Sequence, residues 1–174
     1  MSEIISLRQL KASDAALLAK IGGVSLLESH GHSAPDEIMQ DYVSRSFSEE
    51  ACYKEMSDDR NIFYLVTYKD QPAGYSKIVV NTLHPNVGIQ PVTKLERLYL
   101  LKEFYGFSLG GSLLQQAIEL SMNAGDKGLW LNVWKRNDRA ISFYKKQGFQ
   151  IIGESEFVLT PSHSNPNWVM WLAY

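Results

Sequence analysis

Residues 94–112 read KLERLYLLKEFYGFSLGGS, and this stretch decides the fold. Its first half belongs to a predicted strand, residues 93–101, that is rich in Leu and Tyr. Its second half is a short glycine-containing loop, and a long amphipathic helix follows. A strand, a glycine loop and a helix in this order direct backbone N–H groups and the positive end of a helix toward an anion, most often a phosphate. A plain tight turn explains the same pattern, so the loop alone leaves both interpretations open.

Two familiar phosphate-binding motifs do not fit this loop. Four residues separate Gly106 from Gly111, but Ser112 stands where a P-loop needs lysine. The order G-x-G-x-x-G of dinucleotide-binding proteins is missing as well. A phosphate ligand would therefore have to be held in another way.

The composition and charge exclude several classes of protein. A chain of 174 residues, 45% of them hydrophobic, suits one domain with a proper core, and a net charge of −2 argues against nucleic-acid binding. No apolar run reaches membrane-spanning length, and Met1, Ser2 and Glu3 do not resemble the start of a signal peptide. Cys52 is the only cysteine, which excludes an internal disulfide and a cysteine-based metal site. We expect a single cytoplasmic domain, residues 1–174, without a nucleic-acid or membrane partner.

Periodicity predicts seven strands, at residues 4–10, 61–69, 73–80, 93–101, 129–134, 149–158 and 168–174. A first helix is predicted with Ser13 or Asp14 as its N-cap, and it is expected to kink or split at Gly22 and Gly23. Further helices are predicted at residues 36–47, 48–56, 110–124 and 137–147, with loops at 28–35, 81–91 and 160–167. From residue 93 onward, strands and helices alternate. This order predicts a mixed α/β sheet with helices on its faces.

His30 and His32 lie in the predicted loop 28–35 and raise the question of a metal site. Two histidines in a loop lack a third ligand and the groups that would orient them. We therefore predict no metal.

A second group of residues, NDRAISFYKKQGF at 137–149, follows the fifth strand. Asn137 suits a helix N-cap, and Tyr144 comes seven residues later, nearly two turns. Both side chains would then project from the same side, about 10 Å apart along the axis. That spacing suits an extended ligand. The alternatives are a cap without further function for Asn137 and a core aromatic beside Phe143 for Tyr144.

Together the two stretches resemble the GCN5-related N-acetyltransferase (GNAT) superfamily. The resemblance covers most of the chain and is most specific between Leu95 and Phe149. LERLYLLKEF, LWLNVW and residues 137–149 are most similar to the PaiA-type polyamine acetyltransferases, as are the earlier segments SFSEEACYKEMS and PAGYSKI. The resemblance implies an α/β fold with a mixed six- or seven-stranded sheet, splayed between its fourth and fifth strands, with acetyl-CoA in the gap. It is also compatible with a homodimer.

The resemblance also implies which residues bind acetyl-CoA. Backbone groups of residues 98–100 would hydrogen-bond the pantetheine amides, and the pyrophosphate-loop pattern Q/R-x-x-G-x-G/A aligns with residues 105–110. Tyr105 replaces the usual Gln or Arg, and Ser108 replaces the first glycine. Asn137 matches an asparagine that contacts pantetheine, and Tyr144 matches a tyrosine near the thioester sulfur. The complete set is Leu98, Tyr99, Leu100, Tyr105, Gly106, Phe107, Ser108, Leu109, Gly110, Gly111, Asn137 and Tyr144.

The expected chemistry is direct transfer of an acetyl group from acetyl-CoA to an amine. A thiol has a pKa of about 8.5 and a phenol about 10, so Tyr144 could give a proton to the leaving sulfur. The N–H of Leu98 would polarise the thioester carbonyl. Glu96, two residues earlier and on the same face of a regular strand, is the candidate base that acts through water. An ordinary ion pair of Glu96 with Lys94 or Arg97 is the alternative.

The substrate is predicted from charge. Glu28 is a second candidate carboxylate, and a cleft with Glu28 and Glu96 would suit a cationic polyamine such as spermidine or spermine. A protein N-terminal or lysine acetyltransferase is an alternative, which the loops at 30–36 and 81–91 would decide. Ser108 motivates another alternative, a non-catalytic CoA-binding or regulatory protein.

Overall fold

The computed structural model describes residues 4–174, so the prediction for the first three residues lies outside it. Short 3₁₀ helices at Ala12–Asp14 and Lys102–Phe104 precede the first helix and follow the fourth strand. The strands and α-helices within the described residues are β1 Ile5–Gln9, α1 Ala15–His30, α2 Asp36–Ser46, α3 Glu49–Met56, β2 Asn61–Tyr68, β3 Gln71–Val79, β4 Thr93–Leu100, α4 Leu109–Asn123, β5 Gly128–Trp134, α5 Asp138–Lys146, β6 Gln150–Thr160 and β7 His163–Ala173. Within residues 4–174, no helix combines the length and apolar character needed to cross a membrane.

The strands form one seven-stranded mixed sheet in the order β1-β2-β3-β4-β5-β7-β6, with helices on both faces. This confirms the predicted α/β fold. β4 and β5 are parallel, and their register runs from Thr93 opposite Leu129 to Leu95 opposite Leu131. It includes three residues of each strand, although β5 continues to Trp134. Such a short register is what the resemblance implied for the fourth and fifth strands.

The chain divides into two compact units, and each consists of two separated stretches. The first unit contains the chain up to Ile78 together with Arg97–Ala117. The second contains Val79–Glu96 together with Ile118–Tyr174. β3, β4 and α4 each pass from one unit into the other.

In the first unit, α1 is one continuous helix, so it does not split at the two glycines. A Cβ on Gly22 would lie 2.4 Å from ring carbons of Phe47, and one on Gly23 would lie 3.2 Å from Val43. The two glycines thus let side chains from the end of α2 pack directly on α1, and this packing offsets their low helix propensity. α1 also extends through Glu28, which was predicted to lie in a loop.

In the second unit, residues 160–167 do not form the predicted loop. β7 begins at His163 and pairs antiparallel with β6. Its first residues alternate between the two faces, but the buried positions are held by Asn165 and Asn167, each 8% exposed, with Pro166 exposed between them. The alternation was missed because asparagines and a proline replaced the apolar residues that normally mark a strand.

The start of β4 is held by a buried carboxylate of the second unit. Asp126 accepts hydrogen bonds from the hydroxyls of Thr93, at 2.5 Å, and Ser121, at 2.9 Å. All three residues are at least 90% buried. The contact joins β4 to the end of α4 and to the turn that precedes β5.

Candidate active site

The end of β4 is packed on both faces within the first unit. Leu98 and Leu100 contact the core cluster formed by Val66, Ala73, Phe104, Leu109 and Leu113. Tyr99 lies edge-on to Tyr75, with ring centroids 6.0 Å apart, and edge-on to His30 at 5.6 Å. These side chains fix the strand segment to which the resemblance assigns the pantetheine amides.

β3 approaches this segment unusually closely. A Cβ on Gly74 would lie 2.5 Å from the carbonyl oxygen of Tyr99 and 2.5 Å from a side-chain carbon of Leu100. Only glycine leaves room for that approach. One edge of β4 is therefore held tightly by its neighbour.

The loop after β4 contains two left-handed residues. Gly106 has a φ of 89° and Ser108 a φ of 61°. Glycine adopts such angles freely, whereas a residue with a side chain does so at a cost of about 1–2 kcal/mol. Ser108 thus adopts a conformation that glycine takes freely, at the position where the resemblance places a glycine.

The loop is also open on its outer side. A Cβ on Gly106 or on Gly111 would meet no atom within 4 Å, and Gly106, Phe107 and Ser108 are exposed. α4 starts directly afterwards at Leu109, and its first N–H groups lie at the positive end of the helix. These features fit a phosphate ligand.

Asn137 caps α5, as predicted. Its side-chain oxygen accepts a hydrogen bond from the N–H of Ala140 at 3.2 Å. Its side-chain amide nitrogen donates no hydrogen bond to any residue in 4–174. That nitrogen therefore retains donors for a ligand.

Tyr144 lies on α5 with its ring enclosed by aromatic neighbours. The residue is 8% exposed, and its ring lies edge-on to Phe143 at 5.2 Å and to Phe149 at 5.5 Å. Its carbonyl accepts the N–H of Phe149, so the turn after the helix fixes the same residue. The ring has the packing of the core aromatic that we considered as an alternative, and the catalytic role of its hydroxyl stays a prediction.

Glu96 forms a long ion pair. Its carboxylate oxygen lies 3.9 Å from the ammonium of Lys94, which also stands 5.1 Å from the ring centroid of Trp130. The Glu96 side chain is 32% exposed. The alternative of an ion pair with Lys94 is therefore present at the limit of ion-pair distance, and the role of Glu96 as base stays a prediction.

The sequence interpretation missed a buried ionic group in the first unit. Glu55 pairs with Arg97 at 2.9 Å and with Lys77 at 2.7 Å, and the Lys77 side chain is only 6% exposed. Burial, followed by the charge of Glu55, raises the pKa of Cys52 to about 11. Lys77 was the available signal, because it stands inside β3, in which all residues from Ala73 to Val79 are buried.

The same unit contains two further polar groups near the end of β4. The carboxylate of Glu28 accepts a hydrogen bond from the backbone N–H of Lys102. His30 contacts the hydroxyl of Ser29 at 2.7 Å, and burial lowers its pKa to about 4, with a smaller effect from His32. Within residues 4–174, no three His, Cys, Asp or Glu side chains are grouped as metal ligands.

The predicted site residues thus fall into two sets. Glu28, residues 98–100 and residues 105–111 belong to the first unit, and Glu96, Asn137 and Tyr144 belong to the second. Each set has the geometry described above within its own unit.

Comparisons with known proteins agree on one family. The sequence model of the acetyltransferase (GNAT) family matches residues 25–149. A protein called uncharacterized N-acetyltransferase in pepI 3'region, from Lactobacillus delbrueckii subsp. lactis, is 27% identical over 156 residues, 89% of this chain and 90% of that protein. Spermidine N(1)-acetyltransferase from Thermoplasma acidophilum is 22% identical over 167 residues, 92% of this chain and 99% of that protein.

A similar fold is found in the crystal structure of the PaiA N-acetyltransferase from Thermoplasma acidophilum in complex with coenzyme A. The TM-score is 0.78 at 22% sequence identity, and the superposition covers all of both chains. Identity at this level shows that the fold is shared.

Proposed function

Since the chain belongs to the GNAT acetyltransferase family, we propose that it transfers an acetyl group from acetyl-CoA to a small polyamine such as spermidine or spermine. The family match supports the reaction, because residues 25–149 include β4, its loop, α5 and the turn that leads to Phe149. The polyamine substrate and the PaiA type are the finer part of the proposal. They are supported by the likeness to a spermidine acetyltransferase and by the groove described below.

Acetyl-CoA is the co-substrate, and the chain's own residues suggest how each part of it is held. The main chain of residues 98–100 would bond the pantetheine amides. The exposed N–H groups of residues 106–108 and the start of α4 would receive the pyrophosphate. The Asn137 amide, whose oxygen already caps α5, would donate its N–H to pantetheine.

The reaction requires one nucleophile, the loss of two protons from its nitrogen and the gain of one proton by the leaving sulfur. Glu96, through water, takes a proton from the ammonium group of the substrate, since an alkylamine is mostly charged at neutral pH. The amine nitrogen then forms a bond with the thioester carbonyl carbon, and the N–H of Leu98 stabilises the charge on the carbonyl oxygen. The carbon–sulfur bond breaks, and Tyr144 gives its proton to the leaving thiolate. The positively charged nitrogen of the adduct loses its second proton as the amide forms, and this proton returns through solvent to the phenolate of Tyr144.

A groove in the first unit supports a polyamine as the class of substrate. Its volume is about 340 Å³, and its charged residues are Glu28, Glu103 and Lys20. Two carboxylates against one ammonium favour a cation, and the apolar residues suit an alkyl chain. A polyamine has both properties. The apolar lining residues include Leu17, Ile21, Val24 and Leu101.

A thiol-release assay with acetyl-CoA tests the proposal. Spermidine and spermine should release CoA thiol, whereas free amino acids and a lysine peptide should release little. Success of the peptide with failure of both polyamines would overturn the polyamine assignment and favour a protein acetyltransferase. If none of these amines causes release of CoA thiol, although the protein still binds CoA, the non-catalytic alternative would be favoured.

A paired substitution sharpens the assay. Glu103→Gln removes one carboxylate of the groove, so the KM for spermidine should rise while the KM for acetyl-CoA stays the same. Glu50→Gln, an exposed position on α3, is the matched control and should change neither. An unchanged KM for spermidine in Glu103→Gln would remove the groove from substrate binding.

A further inference from the structure

The loop at residues 105–111 contains no positively charged side chain. The first position of the family pattern, which normally carries Gln or Arg, is Tyr105 here. Coenzyme A has a pyrophosphate and a 3′-phosphate, so it brings several negative charges to a protein whose own net charge is −2. Main-chain N–H groups and a helix start favour an anion by only about 0.3–1 kcal/mol in exposed positions. A nearby cation would therefore add substantially to binding.

The hairpin between β2 and β3 lies against this loop. Tyr68, the last residue of β2, has its ring centroid 4.6 Å from that of Phe107 and 6.2 Å from that of Phe104. Phe107 is a residue of the loop itself and is 43% exposed. All of these residues belong to the first unit. The end of the hairpin and the loop therefore share one aromatic contact.

Lys69 occupies the turn of this hairpin. Lys69 and Asp70 have φ values of 49° and 64°, the left-handed pair that a two-residue turn between strands requires. The ammonium of Lys69 stands 5.4 Å from the ring centroid of Tyr68, the ring that Phe107 contacts. Among residues 4–174, no carboxylate lies within 4.0 Å of this ammonium.

We propose that Lys69 binds a phosphate group of coenzyme A and supplies the positive charge that the loop lacks. The inference rests on the proposed cofactor site, because it assumes that the loop receives the pyrophosphate. A flexible lysine at the tip of a tight hairpin can place its ammonium beside a phosphate without rearrangement of the fold. The Tyr68 ring, packed on Phe107, holds the hairpin and the loop together and so positions Lys69.

Equilibrium binding of coenzyme A, measured by calorimetry at low and moderate salt, tests this inference. Lys69→Gln should weaken binding about three- to ten-fold at low salt, the scale of an exposed charge-assisted contact, and the difference should shrink as salt rises. Lys69→Arg should bind as the unaltered protein does. Lys54→Gln is the matched control, because Lys54 is exposed on α3, whose end contacts Asn61 at the opposite end of β2.

Coenzyme A without its 3′-phosphate identifies which phosphate is bound. If Lys69→Gln weakens binding of both ligands equally, the contact is to the pyrophosphate. If it weakens only the complete coenzyme A, the contact is to the 3′-phosphate. Equal affinity of Lys69→Gln and the unaltered protein for coenzyme A at low salt would overturn the inference. Failure of the unaltered protein to bind coenzyme A would instead overturn the proposed cofactor site.

Discussion

The candidate site residues of the two units are held in place in different ways. On α5, Asn137 is fixed by a hydrogen bond to Ala140, three residues later, and Tyr144 packs on Phe143 and Phe149. At the end of β4, Arg97 is held by Glu55, 42 residues away. The segment after β4 is held by Glu28, 74 residues from its partner Lys102.

The two sets of residues should therefore respond differently to substitution. Residues on α5 depend on contacts within about a dozen positions of the chain, so the helix and its turn fix them locally. The end of β4 and the segment after it depend on one ion pair, with Glu55 of α3, and on one hydrogen bond, to Glu28 of α1, and both form only when these helices are in place. We expect substitutions at α5 to change chemistry without changing stability, and substitutions around β4 to change stability first.

Tyr144→Phe tests the first half of this comparison and has the largest expected effect. The ring keeps its packing, and only the hydroxyl that we propose as the proton donor is lost. The turnover number should fall about 10²–10⁴-fold, with the coenzyme A affinity and the free energy of unfolding nearly unchanged. Steady-state kinetics, calorimetry and denaturant unfolding measure the three quantities. Tyr53→Phe, at an exposed tyrosine, is the control, and equal turnover in Tyr144→Phe would remove this residue from the mechanism.

Glu55→Gln tests the second half. It removes the carboxylate that Arg97 and Lys77 share in a largely buried setting, so the free energy of unfolding should fall by about 3–5 kcal/mol. Urea unfolding measures the loss. Asp59→Asn, at an exposed position, should stay within about 0.5 kcal/mol of the unaltered protein. A similarly small loss in Glu55→Gln would show that the end of β4 does not depend on this ionic group.

His30, in the same unit, should make the free energy of unfolding depend on pH. Burial holds its pKa at about 4, below the usual value of about 6.5, so the unfolded chain binds the proton more readily between these two pH values. The free energy of unfolding is therefore highest above about pH 6.5. It falls by up to about 3 kcal/mol as the pH falls toward about 4. In His30→Gln the unfolding free energy should depend less on pH over this window. Identical pH profiles for both proteins would show that His30 titrates normally.

Ser108→Gly has the smallest expected effect. Glycine adopts the left-handed conformation without the cost that Ser108 bears, so the free energy of unfolding should rise by about 1 kcal/mol. Ser108→Ala keeps the Cβ and should give no such gain, which makes it the control. Thermal and urea unfolding distinguish the two. A gain in the alanine variant and none in the glycine variant would contradict a strained loop.

The contrast between local and distant contacts also explains which features the sequence could predict. The strand, the loop and the cap at Asn137 depend on neighbouring residues, so spacing and residue type were sufficient. The Glu55–Arg97 pair joins positions whose proximity is created only by folding, and no spacing rule indicates it. The glycines at positions 22 and 23 were misread for a related reason, because the side chains that they accommodate, Phe47 at Gly22 and Val43 at Gly23, do not belong to α1.

The route of the chain through its two units limits how the molecule can be divided. Neither unit corresponds to one uninterrupted stretch, because the chain passes between them within β3, β4 and α4. A gene fragment cut at a single point that encodes all of one unit would therefore also encode part of the other, and recombination between relatives could not exchange one unit alone in a single crossover. Residues 1–174 would accordingly be inherited as one piece, which is why we propose them as a single acetyltransferase domain.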